Sequence, residues 1–186
     1  MQIQITNELY IKRIADIILG ASTLRNHPVG TISNVRKHLR MIDLGEISGV
    51  SDTRFKEILN SHTVNIQKSI QSLDSNADND MYWGSARKAL NLFFAEACYH
   101  AILRKDYKLG EIENYFEVPL DSQVAKKLCC EAEKENVQLP SWTTIKGLTL
   151  ETSGLYQNYA SQYARKFGFT RIQLDLIFWQ PEEQHE

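Results

Sequence analysis

The segment that most narrows the possible folds runs from Ala86 to Ile102. Ala89, Leu90, Leu92, Phe93, Ala97 and Ile102 recur at helical spacing, with few polar interruptions before Arg104. A helix that is apolar around most of its circumference has to be enclosed by other elements. This one should therefore be central, and a chain of 186 residues, 42% of them hydrophobic, is long enough to bury a full core around it.

The rest of the sequence supplies the enclosing elements. Ile3, Leu9, Ile14, Ile17 and Ile18 form an early amphipathic stripe, and "NHPVGTIS" after it carries the Pro and Gly of a loop. A short helix is expected over residues 35 to 43, before Gly45 and Gly49. Ser51 and Asp52 cap a longer one bearing Phe55, Ile58, Leu59, Ile66 and Ile70. The polar turn formers of "DSNADND", residues 74 to 80, are read as a lobe boundary within one helical domain spanning 1–186.

Asp121 follows Pro119 and precedes Val124, Ala125 and Leu128, the place of an N-cap. "LPSWTTIKGL" reads as a loop with a helical turn, and residues 152 to 166 as a helix ended by Gly168, with Leu155, Tyr159 and Tyr163 on one side. In "TRIQLDLIFWQP" the residues Ile172, Leu174, Leu176 and Phe178 alternate as in a strand, but the helical neighbourhood favours a helix. The expected fold class is all-α.

Several function classes drop out on composition. No apolar run spans a bilayer and "MQIQITNELYIKR" lacks the regions of a signal peptide, so the expected compartment is the cytoplasm, with no membrane partner. Three cysteines, Cys98, Cys129 and Cys130, make neither a disulfide framework nor a four-thiolate metal or iron-sulfur site. The five histidines show no metal-ligand spacing, so neither a metal nor another cofactor is expected. No phosphate-binding Gly-rich signature, nucleophile elbow or obligate protein partner is evident.

Two short stretches carry chemistry. In "WGSARKALNLF", Lys88 sits near the mouth of the apolar helix, where the helix dipole and burial beside Tyr82 and Trp83 both favour a neutral, nucleophilic amine. The alternative is a solvated surface lysine. Gly84 would permit a tight, left-handed turn that leaves the amides of Ser85 and Ala86 to hold a phosphate. In "VPLDSQVAKKL", Asp121 would be an ionised carboxylate fixed in direction by backbone amides, or simply a cap.

Together the stretches resemble the helix-hairpin-helix DNA glycosylases of the endonuclease III superfamily. "YWGSARKALN" keeps that family's hairpin register at Gly84, Arg87, Lys88 and Asn91, and "VPLDSQV" is similar to its aspartate motif at Pro119, Asp121 and Val124. The resemblance covers residues 82 to 128, with the hairpin at 82–88 and the active site between two helical lobes. It departs at Trp83, Ala86 and Gln123, where the family has proline, glycine and histidine.

The resemblance implies a Schiff-base lysine in Lys88 and a catalytic carboxylate in Asp121. The long stretch between them is more similar to the archaeal 8-oxoguanine glycosylase branch, which implies base-pocket roles for Asp175 and Trp179. Trp83 and Trp142 are further candidates for stacking on a flipped base. Leu92 and Ala95 replace that branch's aromatic and second lysine, which opens its substrate to question.

DNA would be the partner. Its phosphates would be met by Gly84, Ser85, Ala86, Arg87, Lys126 and Lys127, with Arg104, Lys105, Lys108 and Lys146 as further cations. The implied reaction is excision of a flipped, modified base, leaving an abasic site, with strand nicking through an imine where the lyase step occurs. The target is either a damaged base such as 8-oxoguanine, in repair, or a hypermodified phage base such as glucosylated hydroxymethylcytosine, in defence. A non-enzymatic helix-hairpin-helix module that only binds DNA is the alternative.

Overall fold

The computed structural model describes residues 6–20 and 23–178; Ile3 and Trp179 lie outside them. Among the described residues the chain is all helical, without strands. It forms α1 (Asn7–Ile17), α2 (Thr31–Leu39), α3 (Asp52–Gln71), α4 (Trp83–Tyr99), α5 (Ala101–Asp106), α6 (Ser122–Lys134), α7 (Leu150–Lys166) and α8 (Leu174–Phe178), with short 3-10 turns between several of them. None of these helices is long and apolar enough to cross a membrane.

Helix α4 is central, as its periodicity requires. Ala86, Ala89, Leu90, Phe93, Phe94, Ala97 and Cys98 are all buried, and α1, α2, α3, α5 and α7 pack against it. The buried Leu90, Phe93 and Phe94 side chains each contribute about 1.5–3 kcal/mol by leaving water. Phe55 of α3 meets Phe116 edge-on at 5.2 Å, and Phe94 stacks on Phe116 at 5.9 Å, which closes the core from the far side.

The caps at Ser51 and Asp121 sit where the sequence places them, and Thr149 caps α7, which begins at Leu150 rather than at 152. Ser51 accepts from the Arg54 amide, Asp121 from the Gln123 and Val124 amides, and Thr149 from the Thr152 amide. Gly168, at φ +75°, turns the chain out of α7. Helix α2 begins earlier than expected, at Thr31 directly after Gly30, and ends at Leu39 rather than 43. Leu9, Ile17 and Leu155 face outward, because the buried stripe of α1 is Ile11, Ile14 and Ala15 and that of α7 centres on Tyr156, Tyr159 and Ala160.

Two hydrophobic clusters fill the interior. The first joins α1 to α5 with Phe116 and Ile172; the second joins Trp83, Val118, Leu120, α6, α7 and Leu174. Residues 74–80 therefore do not divide them. That segment turns the chain between α3 and α4, two helices of one cluster, and the clusters meet at the N-terminus of α4 and at residues 116–118.

Candidate active site

Lys88, on α4, and Asp121, at the N-terminus of α6, are brought together. Lys88 Nζ lies 3.4 Å from Asp121 Oδ2, and both side chains are largely shielded from solvent. The other oxygen, Oδ1, accepts from the amides of Gln123 and Val124, each at 3.0 Å. The carboxylate is thus clamped from one side while its second oxygen faces the lysine. Lys88 stands in the second turn of α4, beyond the reach of the dipole's positive end, and its resting partner is an anion. The arrangement at rest is an ion pair between the two groups that the resemblance assigned to one site.

These two residues line a cavity of about 600 Å³ with Ile18, Thr23, Arg25, Leu92, Ser122, Gln123 and Asp175. Asp175, from α8, is the third ionisable group that the sequence assigned to the site and that the fold delivers to it. Burial pushes its carboxyl up to about 6, and the charge of Asp121 adds to that shift while Lys88 opposes it. Thr23 and Arg25 reach the cavity from the loop before α2. Nothing in a local motif marks them; "NHPVGTIS", which begins at the residue after Arg25, is the nearest stretch that the sequence singles out.

Trp83 and Trp142 are placed elsewhere. Trp83 is buried in the second cluster, with the Arg87 guanidinium 5.1 Å from its ring, and Trp142 meets Tyr156 edge-on at 5.8 Å. Neither lines the cavity, so the base-pocket expectation is corrected for both: each serves packing. The expectation for Trp179 lies outside the described residues.

The expected phosphate hairpin is also corrected. Gly84, Ser85, Ala86 and Arg87 are all buried. The left-handed residue is Tyr82, at φ +71°, not Gly84. Gly84 instead lets the 145–148 turn lie directly on α4, because a Cβ there would stand 2.3 Å from the Ile145 carbonyl oxygen and 2.5 Å from Leu148 Cβ. The Ala86 amide donates to Tyr82 O at 2.9 Å, and the Ser85 hydroxyl bonds to His27 Nε2 at 2.7 Å. The Ala86 amide is thereby taken, and burial closes the surroundings of Ser85.

Arg87 turns inward. Its guanidinium donates to Glu117 Oε2 at 2.9 Å, to Thr63 Oγ1 at 2.8 Å and to Asn60 Oδ1 at 2.8 Å, so it is committed to the interior rather than presented to a phosphate. Lys126 and Lys127 are exposed on α6, outside the cavity lining. Arg104 is paired with Glu113, and Lys146 donates to the Asn26 carbonyl.

No protein-family model matches the chain, and no curated protein or solved structure matches it either.

Proposed function

We propose that the chain is a DNA glycosylase, which takes a modified base out of the duplex and cleaves its N-glycosidic bond at the Lys88–Asp121 cleft. One observation carries the reading: an amine 3.4 Å from a carboxylate whose other oxygen is fixed by two amides, in a cavity roomy enough for a nucleotide. As the bond from C1′ to the base lengthens, positive charge grows on the deoxyribose. Asp121, already oriented, stabilises that charge without reorganising.

Lys88 supplies the complementary step. The departing base takes a proton from the ammonium, and the amine so formed attacks C1′. Loss of a proton and opening of the sugar then give an imine, through which the strand can be nicked. Where the amine does not attack, water takes its place and the product is a plain abasic site.

The cavity wall favours one substrate class over another. Among the described residues it contains no aromatic side chain, and Leu92 occupies the position one turn after the lysine. Stacking on a flat purine is poorly served there, whereas Thr23, Arg25, Ser122, Gln123 and Asp175 offer polar contacts. A pyrimidine carrying a polar or glycosyl substituent suits this lining better than 8-oxoguanine.

The test is direct. The protein is incubated with oligonucleotides containing 8-oxoguanine and with glucosylated phage DNA; abasic sites and breaks are scored, and borohydride is added to trap an imine. Trapping is expected with the wild type and absent in Lys88→Ala, and Asp121→Asn is expected to slow excision by about 10²–10³-fold. DNA binding that survives both substitutions, with no abasic product on any substrate, would replace this reading with a binding module.

A further inference from the structure

A nucleotide turned out of a duplex leaves a gap in the base stack, and an apolar side chain inserted between the neighbouring bases can fill it. The gap stays in the duplex while the base enters the cleft. A side chain that fills it therefore stands outside the Lys88 cavity, beside its mouth, on backbone that holds its place.

The loop before α2 presents such a side chain. Val29 is 98% exposed, the most exposed of the large apolar side chains among the described residues. It does nothing for the core. It stands four residues after Arg25, which lines the Lys88 cavity, and four residues of fully extended chain reach at most about 14 Å. The tip of the loop is therefore close beside the cleft.

A single exposed valine is ordinary on a protein surface. What sets this one apart is how firmly its flanks are held. On one side, His27 Nδ1 donates to the Arg25 carbonyl at 2.9 Å, which leaves Nε2 to accept from the Ser85 hydroxyl at 2.7 Å. Ser85 lies one turn before Lys88 on α4, so the helix that carries the proposed nucleophile also anchors the loop. Lys146 donates to the Asn26 carbonyl from the opposite flank of the same turn. On the other side, Pro28 fixes its own φ, the Thr31 amide donates to the Pro28 carbonyl at 3.1 Å, and Gly30, at φ +93°, leads into α2. An apolar tip is thus held out into water by a braced loop at the edge of the cleft.

We infer that Val29 is the wedge that enters the base stack when a nucleotide turns into the Lys88 cleft. The inference rests on the proposed glycosylase reading and gives that reaction a residue that positions the duplex without touching the reacting atoms.

Binding is measured by fluorescence anisotropy to three forms of one labelled sequence: an intact duplex, a duplex with an abasic-site analogue, whose stack is already gapped, and the single strand. The wild type is expected to prefer the gapped duplex. Val29→Ala should lower affinity for that form about tenfold, the worth of two buried carbons, and change the other two far less. Val29→Thr, which keeps the shape but not the apolarity, should behave as Val29→Ala does, and Val29→Leu should restore binding. Because the side chain is exposed, all three variants should melt with the wild type. Single-turnover excision from glucosylated phage DNA should slow in Val29→Ala in step with the lost affinity.

An unchanged affinity of Val29→Ala for the gapped duplex overturns the wedge, and so does an equal loss on all three forms, which would make Val29 a plain surface contact. A loss found only in Leu176→Ala, at the exposed apolar residue after Asp175, overturns it as well. Excision by Val29→Ala at the wild-type rate leaves the glycosylase reading intact and refutes this one. A loss confined to the gapped duplex, with no excision by the wild type on any substrate, keeps the wedge and overturns the glycosylase reading.

Discussion

Asp175 enters the cleft as a second carboxylate where Asp121 is already charged, and the two cannot share the cavity at no cost. Burial and the charge of Asp121 hold its carboxyl at about 6, with Glu96 acting in the same direction and Lys88 against it. A carboxyl that titrates higher in the folded protein than in the unfolded chain binds more protons when folded, so stability falls as pH rises from about 4 through 6. Asp175→Asn removes that penalty. The variant is expected to match the wild type near pH 4 and to exceed it at pH 7.5 by roughly 2 kcal/mol after solvent screening, measured by urea unfolding at both pH values. Equal stability of the two proteins at pH 7.5 would show that the carboxyl is not strained. The neutral form present below about pH 6 makes Asp175 a hydrogen-bond donor into the cleft.

At the scale of the element, the N-terminus of α4 shows how much of the site is legible in the chain and how much is not. Asp121 could be read because capping is local: the residue type, the preceding Pro119 and the apolar residues behind it all belong to one turn. Lys88, Asp121 and Asp175 could be grouped through the family resemblance, and the fold delivers them to one cavity. Arg87 could not be read correctly, because its partners Asn60, Thr63 and Glu117 come from α3 and from the segment before α6. No local rule separates an inward from an outward arginine on a helix that is buried nearly all round. Gly84 was legible as a constraint but not as the right one, since close approach and left-handed backbone both select glycine. The two differ in consequence. Gly84→Ala gains about 1 kcal/mol of helix propensity, yet its methyl would meet a backbone carbonyl at 2.3 Å, which no side-chain rotation relieves. The net expectation is a loss of about 1–3 kcal/mol with displacement of the 145–148 turn, seen as a lowered melting temperature. A stabilised variant would mean that the turn moves away freely.

For the whole molecule, the decisive contact is the one that ties the two clusters together. Glu117 lies between Phe116 of the first cluster and Val118 of the second, and it accepts from Arg87 and from Asn91 on α4. Arg87 in turn reaches α3 through Asn60 and Thr63, so one buried ion pair spans three parts of the chain. Nearby, Gln157 of α7 brackets Val118, accepting from its amide at 3.1 Å and donating to its carbonyl at 2.7 Å, which fixes the same strip of backbone against the second cluster. Lys88 is the residue after Arg87, and Asp121 follows Glu117 by four, so the ion pair sets the distance between the proposed catalytic groups without touching them. Glu117→Ala leaves a buried guanidinium without its counter-charge and is expected to cost about 3–5 kcal/mol. Replacing both partners, Arg87→Met with Glu117→Leu, removes the uncompensated charge and should recover most of that loss, because a desolvated pair contributes little net stability over apolar packing. The recovered stability should not restore excision, since the double variant keeps the clusters together but loses the directional tie that seats Lys88 opposite Asp121. Urea unfolding of the single and double variants, with excision assayed at a temperature where the double variant is fully folded, separates the two effects. A double variant that excises at the wild-type rate would show that packing alone positions the cleft.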